Sequence, residues 1–223
     1  MKVIISGYGK MGHMIEKILN ERGITCAGAS EDITSTDLEL AKECICIDFT
    51  TPQPIRANYP FLAQHFKGVV IGTTGWDDIR EEVIECFKKH GTTMIYASNF
   101  SIGVNVLFAL TQQLSRMLAQ AGGYMPYIEE KHHCHKLDRP SGTAKTLAEI
   151  VTQETGQNPD MASVRCGEIP GIHTIGFEGI NDRITLTHEA FSREGFATGA
   201  VEAAIKADTL PCDVYDFKNI IFQ

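Results

Sequence analysis

The feature that most narrows the fold is the run Val3-Ile4-Ile5-Ser6 passing straight into Gly7-Tyr8-Gly9-Lys10-Met11-Gly12. The first four residues read as a short buried strand, and the next six form a G-x-G-x-x-G turn. Behind the turn, Met11, Ile15, Ile18 and Leu19 fall on one face of a helix. Each glycine has a physical role in such a turn. Gly7 permits the tight bend, Gly9 lets the backbone approach a pyrophosphate, and Gly12 allows close packing of helix on strand. A second strand, Ile24 to Ala29, ends in Ser30-Glu31-Asp32. Glu31 lies nineteen residues past Gly12, where a carboxylate accepts hydrogen bonds from the adenosine ribose, with neighbouring Asp32 as the alternative. The turn thus nominates Gly7, Tyr8, Gly9, Lys10, Met11, Gly12 and Glu31 as a dinucleotide site.

The alternation continues. Cys44 to Phe49, Val69 to Ile71 and Thr92 to Ala97 read as three further strands, giving five, with helical patterns between them. Such alternation implies a parallel sheet covered on both faces, whose ligands sit outside the carboxyl ends of the strands. Phe49, Thr50, Gly72, Thr73, Thr74, Asn99 and Phe100 occupy those ends and are expected along one cofactor crevice. After residue 101 the pattern changes. A long helix (Val104 to Leu118), a strand (Tyr127 to His132) and a helix ending near Gly156 come first. Strands at 164–166, 173–178 and 183–188 follow, and a helix carrying Phe196, Ala200, Val201, Ala204 and Ile205 comes last. The expected fold class is α/β. A Rossmann-like parallel sheet forms a dinucleotide-binding domain from residues 1–101 and 194–223. A smaller α+β substrate and oligomerisation domain, residues 102–193, carries a mixed sheet.

Chemistry concentrates in Glu129 to Ala144, which holds three histidines, two lysines and an arginine. Ser141-Gly142-Thr143 opens a helix whose apolar residues Ala144, Leu147, Ala148 and Val151 share one face. First-turn N–H groups lack intrahelical partners and lie at the positive end of the helix dipole, so this junction suits an anion. A doubly charged acidic substrate is expected there, with an imidazole available for proton transfer. No metal is expected, because adjacent strand residues point to opposite faces and no second cluster of ligand spacing exists along the chain.

The formal net charge of -8 argues against nucleic acid as a partner. No apolar run has the length of a membrane span. The chain starts directly on a strand rather than an apolar leader, and its seven cysteines form no C-x-x-C pair. Reduced core thiols and a cytoplasmic location are expected.

Taken together, the chain resembles the dihydrodipicolinate reductase (4-hydroxy-tetrahydrodipicolinate reductase) family over essentially its full length. The resemblance is carried by Gly7 to Gly12, Asp48-Phe49-Thr50, Gly72-Thr73-Thr74-Gly75, Asn99 to Asn105 and the block from His132 to Ala144. It implies reduction of 4-hydroxy-tetrahydrodipicolinate to tetrahydrodipicolinate with NADH or NADPH, in diaminopimelate and lysine biosynthesis. By the same resemblance His132 and Lys136 are catalytic, and His133, Ser141, Gly142 and Thr143 bind a small dicarboxylate. A homotetramer joined through the substrate-domain sheet is also implied. Lys10 departs from the arginine frequent in the family and lacks its bidentate fork. Another reductase of a small acid, or a nucleotide-sensing protein without catalysis, are the competing readings.

Overall fold

The computed structural model describes residues 1–222. In chain order β1 (Lys2–Ser6) is followed by α1 (Lys10–Glu21), β2 (Thr25–Ser30), α2 (Leu38–Glu43) and β3 (Cys44–Asp48). Next come α3 (Pro52–His65), β4 (Gly68–Ile71), α4 (Arg80–His90), β5 (Thr93–Tyr96) and α5 (Ile102–Ala121). Then follow β6 (Met125–His132), α6 (Gly142–Thr155), β7 (Asp160–Arg165), β8 (Gly171–Glu178) and β9 (Arg183–Ala190). The last are α7 (Glu194–Thr209), β10 (Val214–Asp216) and α8 (Phe217–Ile220). The chain divides into two compact units, one of Met1–Ser101 with the chain from Phe196 onward, the other Ile102–Gly195.

The first unit is built on a parallel sheet in the order β10-β5-β4-β3-β1-β2. β3 and β4 are buried at every position, the pattern of strands with both faces covered. Alternate residues serve opposite layers. Val3, Ile5, Ile45, Ile47, Val70 and Ile95 pack with α1 and α7 residues such as Ile15, Leu19, Ala200 and Ala204. Ile4, Cys46, Val69, Ile71 and Met94 pack with Ile55, Leu62, Val83 and Phe87 from α3 and α4. The small residues of α7 have a steric cause: a Cβ at Gly199 would lie 1.7 Å from the Phe100 carbonyl oxygen. The sheet has one strand more than the sequence reading expected. β10 is only three residues long and follows Pro211, too short for periodicity to reveal, and it forms by pairing with β5.

The second unit is a mixed sheet, ordered β7-β6-β8-β9. β6 runs parallel to β7, while β8 is antiparallel to both β6 and β9. Val104, Leu107 and Phe108 of α5 and Ala144, Leu147 and Val151 of α6 pack onto Ile128, Ile175 and Phe177. β7 begins at Asp160, four residues before the expected strand, because Asp160–Arg165 has no buried apolar alternation and is held as a strand by its pairing with β6. No helix among the described residues is long and apolar enough to cross a membrane.

Candidate active site

In the first unit the glycine turn has the steric demands of a backbone-lined anion site. Gly7 has φ +85°, and a Cβ there would lie 2.6 Å from the Phe49 carbonyl oxygen. A Cβ at Gly12 would lie 2.4 Å from the Gly7 carbonyl oxygen, whereas nothing stands within 4 Å of one at Gly9. Gly9 is also the N-cap of α1, and no side chain caps that end. Open space beside uncapped first-turn amides is what a pyrophosphate needs, so these residues fit a dinucleotide. The Tyr8 N–H donates to Glu31 Oε1 at 2.9 Å, fixing the turn to the end of β2. Asp32 is committed elsewhere, accepting from the N–H and hydroxyl of Thr34. Of the two acids, only Glu31 therefore faces the turn. Lys10 is exposed, and Met11 is half-buried in the core.

The other strand ends are joined by Asp48, which is only 1% exposed. Its carboxylate accepts from Ser6 Oγ at 2.7 Å, Thr73 Oγ1 at 2.5 Å and Thr50 Oγ1 at 3.0 Å. The Thr50 N–H in turn donates to Thr73 Oγ1 at 2.7 Å. Burial pushes the Asp48 carboxyl up, while the hydrogen bonds from Thr73, Ser6 and Thr50 oppose the rise. Gly72 makes room for Phe49, whose ring would lie 2.2 Å from a Cβ there. Thr74 is exposed. The Asn99 side-chain oxygen accepts from the Ser101 N–H at 2.8 Å, closing a turn after β5. Phe100 is 2% exposed and its ring lies against Phe49 and Phe217, so its side chain belongs to the core.

In the second unit the period-two alternation of β6 sets the site. Pro126, Ile128, Glu130 and His132 are its buried positions, so the face that begins as apolar core ends in a carboxylate and an imidazole. Strand pairing brings the partners. Glu130 lies opposite Ser163 on β7 and His173 on β8, His132 lies opposite Arg165, and His173 lies opposite His188. Arg165 Nη2 donates to Glu130 Oε1 at 2.7 Å and to the Asp138 carbonyl at 2.6 Å. The Ser141 N–H donates to the same Glu130 oxygen at 3.3 Å. His132 Nδ1 stands 2.6 Å from Glu130 Oε2. The Glu130 carboxylate at this distance raises the proton affinity of the His132 ring.

Ser141 is the N-cap of α6, its hydroxyl accepting from the Ala144 N–H at 3.2 Å. The same oxygen lies 3.1 Å from His173 Nε2. The first turn of α6, with Gly142 and Thr143, is thereby fixed beside the buried group. His133 is half-buried, its ring 5.9 Å from that of His135. The Lys136 ammonium lies 2.8 Å from Asp138 Oδ1 and is mostly buried, at 24% side-chain exposure.

Burial would raise the Glu130 carboxyl, but hydrogen bonds from Ser163, Arg165 and Ser141 and the charge of His132 hold it down at about 2. His132 is lowered from the usual imidazole value, chiefly by burial; Glu130 raises it, while Lys136 and Arg165 add to the lowering. Burial, with His132 beside it, lowers His173 to about 4. The arrangement is an imidazole that gives up a proton readily, set against a permanent anion and next to a helix start that attracts anions.

The chain matches two family models, described as dihydrodipicolinate reductase, N-terminus, over residues 1–100, and dihydrodipicolinate reductase, C-terminus, over residues 103–221. The chain belongs to the dihydrodipicolinate reductase family. A 4-hydroxy-tetrahydrodipicolinate reductase of Christiangramia forsetii is 41% identical over 217 residues, covering 92% of this chain and 91% of that one. One of Cupriavidus metallidurans is 34% identical over 267 residues, covering 99% of each. Among solved structures, a dipicolinate-bound dihydrodipicolinate reductase from Paenisporosarcina sp. superposes with a TM-score of 0.81 at 22% identity, covering 99% of each chain. That likeness shows the shared fold. This family member is an oxidoreductase with a Rossmann-type nucleotide-binding unit, and its cofactor is a pyridine nucleotide.

Among the residues nominated from sequence, the second unit brings His132, Lys136 and Ser141 into one electrostatic group. Glu130, Arg165 and His173 were not nominated. Glu130 had a readable signal, since it stands two positions before His132 on one strand face. Arg165 and His173 arrive only through strand register.

These shifts predict how stability depends on pH. Folded His173 binds its proton only near pH 4, against about 6.5 in the unfolded chain. The unfolded chain therefore holds more protons between these values, and stability falls as pH drops through that window, by on the order of 3 kcal/mol. Glu130 adds a second loss as pH falls from its ordinary 4.5 toward 2. Urea midpoints from pH 8 to pH 4 should decline below pH 6.5, and His173→Asn should flatten that part. A wild-type midpoint that stays constant down to pH 4.5 would contradict the assignment.

Proposed function

We propose that the chain reduces 4-hydroxy-tetrahydrodipicolinate to tetrahydrodipicolinate with a reduced pyridine nucleotide, as a cytoplasmic step of diaminopimelate and lysine biosynthesis. The product lacks the hydroxyl, so the balance is one hydride and one proton taken up and one water released. When bound, the nicotinamide supplies the hydride. His132 supplies the proton. The observation that carries this reading is a buried imidazole set against the ionised Glu130, at the N-terminus of a helix that draws anions.

The dicarboxylate is held by the first turn of α6, through Ser141, Gly142 and Thr143, with His133 beside it. Lys136 faces its charge. The Lys136–Asp138 pair has a half-exposed carboxylate and holds the ammonium only weakly, so an incoming dianion can take Asp138's place. A dianion also raises the proton affinity of His132, so substrate binding charges the acid it needs. Sheet pairing into a homotetramer is supported by Met125 on β6 and Val164 on β7, apolar side chains exposed on the face opposite Ile128, Glu130 and His132.

The reaction is tested with freshly made substrate, following loss of the reduced nicotinamide. His132→Gln and Lys136→Ala should each lower kcat by about 10²–10⁴-fold, the range for losing an acid–base group. Cofactor affinity should barely move. Wild-type kcat in either variant would remove that residue from its role.

Both NADH and NADPH are used in this reading, with NADH equal or somewhat favoured. The Glu31 carboxylate at the turn accepts from ribose hydroxyls and repels a 2′-phosphate, while exposed Lys10 attracts it without a bidentate grip. Glu31→Gln keeps an acceptor for the Tyr8 N–H but removes the charge, so it should shift kcat/KM toward NADPH. Lys10→Ala should weaken NADPH more than NADH. A wild-type preference for NADPH of about a hundredfold, roughly 2.7 kcal/mol, would show that Glu31 does not set the choice.

A further inference from the structure

The segments leaving β6 and β7 stay zipped together past the ends of the strands. The Cys166 N–H donates to the His132 carbonyl at 2.9 Å, and the Cys134 N–H donates to the Gly167 carbonyl at 3.1 Å. Glu168 is thereby carried next to a turn at Cys134-His135. Because those two residues sit in a turn, the strand rule that sends neighbours to opposite faces does not apply to them. Cys134 Sγ lies 3.5 Å from His135 Nε2, and the same nitrogen lies 3.1 Å from Glu168 Oε1. All three donor atoms lie within 4.8 Å of one another.

We propose that Cys134, His135 and Glu168 form a surface site for a zinc-class divalent cation. In a tetrahedral zinc site, bonds of about 2.3 Å to sulfur and about 2.0–2.1 Å to nitrogen or oxygen set S···N near 3.5 Å and N···O near 3.3 Å. The observed separations match two edges of that tetrahedron with little movement. Thiolate with imidazole and carboxylate is a donor set that favours zinc over calcium or magnesium. The charge environment permits it as well. Lys136 is engaged with Asp138, and Arg165 with Glu130 and the Asp138 carbonyl. The buried trio Glu130, His132 and His173 also places three donor atoms close together. Its carboxylate is already neutralised by the buried Arg165 guanidinium, which repels a second cation. The surface site keeps its fourth position open to water and ties the loop that carries Lys136 to the segment after β7.

The test is a titration of the full-length, reduced protein with cobalt(II) as a spectroscopic stand-in for zinc. One ion per chain should bind with the near-ultraviolet absorption of a thiolate–cobalt bond, and zinc should bleach it. Cys134→Ser should abolish the band. His135→Asn and Glu168→Gln should weaken binding by about tenfold or more. Cys212→Ser, which removes another exposed thiol, should change nothing. These side chains are exposed, so the variants keep the fold. Absence of the band in the wild type, its survival in Cys134→Ser, or its loss in Cys212→Ser would each overturn the proposal.

Discussion

The second unit is organised around one costly arrangement, a carboxylate that is 1% exposed and still ionised. An isolated buried anion is penalised by several kcal/mol, so it persists only where donors and a cation surround it. Glu130 collects these from three separate elements: Arg165 and Ser163 on β7, Ser141 at the start of α6, and His132 two residues along its own strand. Two of these donors have a second duty. Arg165 also holds the Asp138 carbonyl, anchoring the loop that carries Lys136. Ser141 also caps α6, fixing the amides at its first turn. His132, whose proton affinity burial lowers, regains part of it from the Glu130 charge. One buried charge thus sets the geometry of the loop, the helix start and the acid.

The first unit uses a buried carboxylate differently. Asp48 is as buried as Glu130, but its donors are hydroxyls and an amide rather than a cation. Its carboxyl is pushed up where that of Glu130 is pulled down. Asp48 acts as a hydrogen-bond hub that aligns the ends of β1 and β3 and the loop after β4. Glu130 acts as a fixed negative charge. The contrast follows from the partners: to its neutral donors Glu130 adds a guanidinium and an imidazole, which Asp48 lacks.

Much of this was legible in the sequence because it is local. The glycine turn, the alternation of strands and helices, and the small residues opening α6 are short-range signals with steric or dipolar causes. The change of architecture after residue 101 was visible for the same reason. What escaped depends on pairing between distant segments. β10 and the first half of β7 carry no periodic apolar pattern and exist because β5 and β6 offer free edges. Arg165 and His173 reach the site only through the register of β7 and β8 against β6. Glu168 reaches Cys134 and His135 the same way, from 33 residues along the chain, so no ligand spacing in the sequence marks the cluster.

The central claim is that His132 rests uncharged and gains its proton when a dianion arrives beside it. Following the His132 ring nitrogens by NMR, on protein labelled with nitrogen-15 in histidine, tests this most directly. The account predicts a neutral ring at pH 7 in the free protein, with an apparent pKa under the ordinary imidazole value of about 6.5, and protonation once dipicolinate and the oxidised nicotinamide are bound. A ring already charged at pH 7 in the free protein, or one whose charge is indifferent to the bound dicarboxylate, would contradict it.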